Sequence, residues 1–148
     1  MREEESATVR TSAPATPVTT AASARARARA VVHSRWDPST RPARDEDVID
    51  LLLVVSELVS NALRHGGGLA GFEATPVPDG VHVAVQDHSD AVPTAAFGPG
   101  SVPAAHRAGG YGWPLVVRLA REIDIEKGSA GGKTISVFLP IRELDCPL

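Results

Sequence analysis

The sequence predicts a single α/β domain, and three observations predict it. From Asp45 to His65 apolar residues recur at helical spacing and stop against Gly66-Gly67-Gly68. Leu69 to Ala74 and Val81 to Val85 read as strands on either side of a Pro76-Val77-Pro78-Asp79-Gly80 turn. Further on, Gly131-Gly132 introduces a strand pattern from Thr134 to Leu139, closed by Pro140.

Length and composition bound the reading. A chain of 148 residues holds one core comfortably and two poorly. With 43% hydrophobic and 22% charged residues it matches a globular protein. A net charge of -3 argues against a general nucleic-acid or membrane-surface binder, which would carry excess Lys and Arg. Cys146 is the single cysteine, so no internal disulfide can form. No apolar run reaches membrane-spanning length, and Met1-Arg2-Glu3-Glu4-Glu5 opens without the apolar stretch of a secretory leader. Cytoplasm is the expected location.

Taken in order, residues 1–19 mix Glu, Ser, Thr, Pro and Ala without period and read as a disordered tail. Ala21 to Arg35 is a helix on propensity, although its Ala/Arg alternation spreads Arg25, Arg27 and Arg29 around the cylinder. Trp36 to Pro42 is a loop. The helix from Asp45 carries Asp45, Glu46 and Asp47 in its first turn, where the dipole favours them. Residues 88–111, broken by Pro93, Gly98, Pro99, Gly100, Pro103, Gly109 and Gly110, form a long irregular segment of the kind that usually serves function. Pro114 suits the first turn of a helix through Leu119 and Ala120, and Ile123 to Glu126 is a short strand. The expected domain runs from 20 to 142, with 143–148 as a C-terminal tail.

Within this frame a few polar residues stand out. Glu57 and Asn61 share one face of an otherwise apolar helix; they are either its exposed stripe or a proton acceptor paired with an oxygen ligand for Mg²⁺. Asp87 ends a strand, where it can cap the turn through Ser89 or accept from an amino group such as adenine's. Gly109-Gly110-Tyr111-Gly112 leads into a helix, an arrangement that suits phosphate or is simply a flexible loop. Gly132-Lys133-Thr134 is no P-loop: position 127 is Lys127 rather than glycine, and a strand follows instead of a helix. Thr134 is on this ground a strand residue. The five histidines lack metal-ligand spacing.

The order of these motifs is more specific than any one of them. Ser56-Glu57-Leu58-Val59-Ser60-Asn61-Ala62-Leu63-Arg64-His65-Gly66 closely resembles the N-box of GHKL (Bergerat-fold, histidine-kinase-like) ATP-binding domains. More narrowly it looks like the small anti-sigma-factor serine kinases of the RsbW and SpoIIAB type. Asp87, Gly110-Tyr111-Gly112 and Gly132-Lys133-Thr134 follow where that family has its adenine aspartate, second glycine box and closing strand motif. The resemblance implies a two-layer α/β sandwich, a mixed sheet with helices on one face. It implies ATP and Mg²⁺ as cofactors, with Glu57 as general base and Asn61 as the metal ligand. His65, Asp87, Gly109, Gly110, Gly112 and Thr134 complete the implied nucleotide site, Thr134 acting on adenine through a water.

The implied activity is that of a protein serine/threonine kinase. Its implied partners are an anti-anti-sigma protein of the STAS type and a sigma factor or similar regulator, with no nucleic acid or membrane contact and with a homodimer allowed. The alternative is a non-catalytic ATP-binding module acting through protein contacts. One departure supports that alternative: the first glycine box, normally Asp-x-Gly-x-Gly, reads Asp87-His88-Ser89-Asp90-Ala91.

Overall fold

The computed structural model describes residues 17–91 and 112–144, and among them lie three helices and four strands. Helix α1 (Ala21–Arg35) starts at Thr20, whose hydroxyl accepts from the Ser23 amide while the Ser23 hydroxyl accepts from the Thr20 amide. Its Ala/Arg alternation sorts itself at every fourth residue: Ala24, Ala28 and Val32 are buried. Small side chains on that stripe suit close packing on helix α2 (Asp45–His65), and Arg25 donates to Ser56 of α2 at 3.0 Å. Helix α2 turns Leu51, Val54, Val55, Leu58, Val59 and Ala62 into the core. It closes with the Gly66 and Gly68 amides both donating to the Ala62 carbonyl. Gly67 and Gly68 take φ of 74° and 115°, which a side chain would disfavour.

Strands β1 (Leu69–Val77) and β2 (Gly80–Asp87) form a hairpin; helix α3 (Gly112–Leu119), strand β3 (Arg121–Lys127) and strand β4 (Lys133–Pro140) follow. The sheet order is β1-β2-β4-β3. Helices cover one face, which is the two-layer α/β sandwich expected. The expected mixed pairing is corrected: each neighbouring pair of described strands is antiparallel. β2 and β3 do run the same way, but β4 lies between them, so no parallel pair forms.

Two boundaries also move. Pro76 and Val77 belong to β1, leaving Pro78-Asp79 as the turn; β1 is an edge strand, where a missing amide is tolerated. At the other end Glu143 bridges Ala43, and the Leu144 amide donates to the Pro42 carbonyl, so backbone pairing continues past residue 142. Of the expected N-terminal tail, residues 1–16 lie outside the described residues, and Val18 packs half-buried against the core.

Alternation fixes what each sheet face carries. Val81, Val83 and Val85 of β2 and Ile135, Val137 and Leu139 of β4 are buried beneath the helices. The other face carries His82 and Phe138, with ring centroids 5.1 Å apart. Among the described residues no helix is long and apolar enough to cross a membrane.

Candidate functional site

Glu57 and Asn61 sit half-buried one turn apart on α2. Neither side chain has a hydrogen-bond partner among the described residues. Asn61 contributes its carbonyl to the helix end, accepting from the Gly66 amide at 3.1 Å. His65, the last residue of α2, is exposed.

Gly66 joins this helix to the end of β2. Its carbonyl accepts from the His88 amide at 2.9 Å, and a Cβ at Gly66 would lie 2.5 Å from Asp87 Oδ2. Only a glycine lets the α2 terminus close on that carboxylate. Asp87 points inward because it continues the Val81, Val83, Val85 alternation, and it is 6% exposed.

A buried carboxylate needs compensation, and here it comes from Lys133. Asp87 and Lys133 are register partners on β2 and β4. Lys133 Nζ lies 2.9 Å from Asp87 Oδ2 and 3.2 Å from Oδ1, and it also donates to the Ser89 carbonyl at 3.3 Å. Both charged groups are shut from solvent. In the sequence Lys133 stands only as the middle of the Gly132-Lys133-Thr134 motif, with no role of its own. Its signal was nevertheless present: Ile135, Val137 and Leu139 face inward, so position 133 must as well, and an inward lysine requires an acid. By the same alternation Thr134 falls on the face away from the helices, opposite Gln86, and is half-buried there. The β4 residue beside Asp87 is therefore Lys133, not Thr134.

The chain after Asp87 shows what replaces the glycine box. The Ser89 amide donates to Asp87 Oδ1 at 3.0 Å, and the Ala91 amide donates to the Ser89 hydroxyl at 3.0 Å. Each is a side-chain-closed turn, which polar residues make where glycines would give free backbone. Asp90 Oδ1 accepts from the Gly132 amide at 2.9 Å, so the segment is tied across to the start of β4. Gly132 itself is required, since a Cβ there would run into the Asp87 carbonyl.

Of the expected phosphate-binding glycines, Gly112 is the first residue of α3. Gly109, Gly110 and the rest of segment 92–111 lie outside the described residues. Beside Gly112, Trp113 is buried, and its indole N–H has no acceptor among the described residues. A groove of about 430 Å³ opens elsewhere, between α1 and the N-terminal half of α2, lined by residues that include His33, Trp36 and Ile49; none of the expected nucleotide residues lines it.

A second buried acid, Asp47, which the sequence places only in the first turn of the helix, holds the far end of α2. Asp47 Oδ2 accepts from the Arg142 amide at 2.8 Å, and its Oδ1 accepts from the Arg142 guanidinium at 2.9 Å. Burial raises the Asp47 pKa, but Arg142's hydrogen bonds and charge, with Arg44, outweigh it and leave the carboxyl lowered.

An α/β sandwich whose central helix carries an acid and an amide with no partner among the described residues, with a buried carboxylate against that helix's end, has the build of a GHKL-type ATP-binding domain. The family model for the histidine kinase-like ATPase domain matches residues 13–138, and the chain belongs to that family. ATP is thus the nucleotide the domain binds. No curated protein matches the chain.

Proposed function

We propose that the domain is a cytoplasmic protein serine/threonine kinase of the anti-sigma-factor type. It takes Mg²⁺-ATP and phosphorylates a serine on an anti-anti-sigma partner of the STAS type, and it also holds a sigma factor or similar regulator. The observation that carries this reading is the pair Glu57 and Asn61. Both are half-buried, and the protein itself satisfies neither among the described residues. Their polar atoms are left open to solvent or to a ligand, which is what a binding site requires.

The donor set suits the ligand. Asn61 offers a neutral amide oxygen for Mg²⁺, which prefers oxygen ligands, and the ion when bound neutralises phosphate charge. Glu57, one turn earlier, is the base that takes the proton from the attacking serine hydroxyl. Asp87 is the acceptor for the adenine amino group, and the amides at the start of α3 face phosphate. Thr134 has no part in this reading, because the face it occupies is the wrong one.

The second reading, a non-catalytic ATP-binding module, draws on the glycine-free segment after Asp87 and its tie to Gly132. Labelled ATP with a serine-bearing STAS partner separates the two. The kinase reading expects transfer by the wild type and a loss of about 100-fold or more in Glu57→Gln, with ATP binding retained. Binding without transfer by the wild type would establish the module instead.

A further inference from the structure

Asp87 is the carboxylate assigned above to the purine amino group, yet most of its acceptor capacity is already used within the protein. A carboxylate offers about four lone-pair directions. Lys133 Nζ reaches both oxygens, at 2.9 and 3.2 Å, and the Ser89 amide takes another direction on Oδ1 at 3.0 Å. Gly66 closes on Oδ2 so tightly that a methyl group there would lie 2.5 Å away. Lys133 is equally committed, its remaining proton going to the Ser89 carbonyl at 3.3 Å. The surrounding chain is held as well, by the His88 amide on Gly66 and the Gly132 amide on Asp90.

We propose that Lys133 is a specificity-determining residue, an internal competitor for the exocyclic amino group of a purine nucleotide at Asp87. This rests on Asp87 being the base-recognition residue. A neutral amino N–H is a weaker donor to a carboxylate than an ammonium group. Removing the ammonium from a buried carboxylate leaves an uncompensated charge, so the amino group does not displace it. The base is left with what remains of Oδ2, and the site discriminates poorly between purines that carry the amino group and purines that lack it. Freeing Asp87 from Lys133 restores the discrimination.

The test compares ATP with purine riboside triphosphate, which lacks the 6-amino group, by calorimetry in Mg²⁺ buffer. The expected wild-type affinities lie within about threefold of each other, because a contact already shared with Lys133 contributes little. In Lys133→Met the expected change is a gain of about tenfold or more for ATP and none for purine riboside triphosphate. Lys133→Arg, which keeps the charge pair, should stay near the wild-type ratio, and with the wild-type ratio it decides the matter should the Met variant not fold. A wild type that already prefers ATP strongly, loses that preference in Asp87→Asn and keeps it in Lys133→Met or Lys133→Arg would overturn the competition while sparing Asp87 as the base-recognition residue. Failure of the wild type to bind either triphosphate would overturn the nucleotide reading and this inference with it.

Discussion

The two ends of α2 are each held by a buried aspartate that reaches β4 or its immediate continuation, but the two clamps are built differently. At the N-terminal end Asp47 meets Arg142, whose side chain is 59% exposed and which also donates its own peptide N–H. At the C-terminal end Asp87 meets Lys133, and both are enclosed, at 6% and 5% exposure. A guanidinium is a rigid planar fork that stays hydrated on its outer side; an ammonium is a compact point charge with three rotatable donors. The first clamp fixes geometry and leaves its cation in water. The second puts a full charge pair under the helix layer, at the end of α2 where the nucleotide site is proposed. Desolvated pairs are costly to keep, and replacing them by apolar residues often stabilises a protein. A buried pair at that end is therefore weak evidence of stabilisation taken by itself.

The largest expected consequence of that difference is in stability. Lys133→Ala should cost about 3–5 kcal/mol in denaturant unfolding, since it leaves a buried carboxylate without its cation. Adding Asp87→Leu to Lys133→Ala should recover part of the loss, because the orphaned charge is then gone. A loss below about 1 kcal/mol for the single variant would mean that the pair is hydrated in solution, like an exposed one, and the contrast between the two ends would collapse.

Asp47 should come next. Asp47→Asn is expected to cost about 2 kcal/mol near neutral pH, for the charge-assisted bonds to Arg142. Its folded pKa is depressed, so the stabilisation is full above the ordinary carboxylate range and is lost as pH falls through the lowered folded value. The difference between wild type and variant should therefore stay flat around neutrality and shrink below about pH 4. Asp50 acts in the opposite sense. Burial and the neighbouring Asp47 and Glu46 raise its pKa against the pull of Arg142, so ionisation there opposes folding and protonation relieves it. A gap that widened on acidification would show that Asp47 is not held ionised by Arg142.

Much of this was legible in the chain. Helix α2 could be read end to end because its apolar spacing, acidic first turn and triple-glycine stop agree with one another. The strands were visible by alternation, but β1 was cut short at Ala74, since Pro76 reads as a breaker unless the strand is known to be an edge. Sheet order, and with it the antiparallel pairing, depends on β4 entering between β2 and β3, and no local pattern records that. The two charged residues whose buried roles went unread, Asp47 and Lys133, share one cause. Asp47 continues the Leu51, Val55, Leu58 stripe of α2, and Lys133 continues the inward set of β4. Each is a charged residue at a core position, and their partners lie 95 and 46 residues away in sequence. Period alone gave the inward direction; only the tertiary fold supplied the opposite charge.

A third pair near the Asp47 end sharpens the comparison from below. Arg41 Nε lies 3.0 Å from Glu143 Oε2, and both side chains are about half exposed. The same two segments are joined by backbone: Ala43 bridges Glu143, the Arg44 amide donates to the Arg142 carbonyl, and the Leu144 amide donates to Pro42. Glu143→Gln leaves that backbone ladder untouched and removes only a hydrated charge, so unfolding free energy should change by no more than about 0.5 kcal/mol. If burial and not charge pairing as such separates the clamps, the three substitutions must rank Lys133→Ala, Asp47→Asn, Glu143→Gln. A Glu143→Gln cost as large as that of Asp47→Asn would place the stability in ion pairing itself and remove burial as the distinguishing variable.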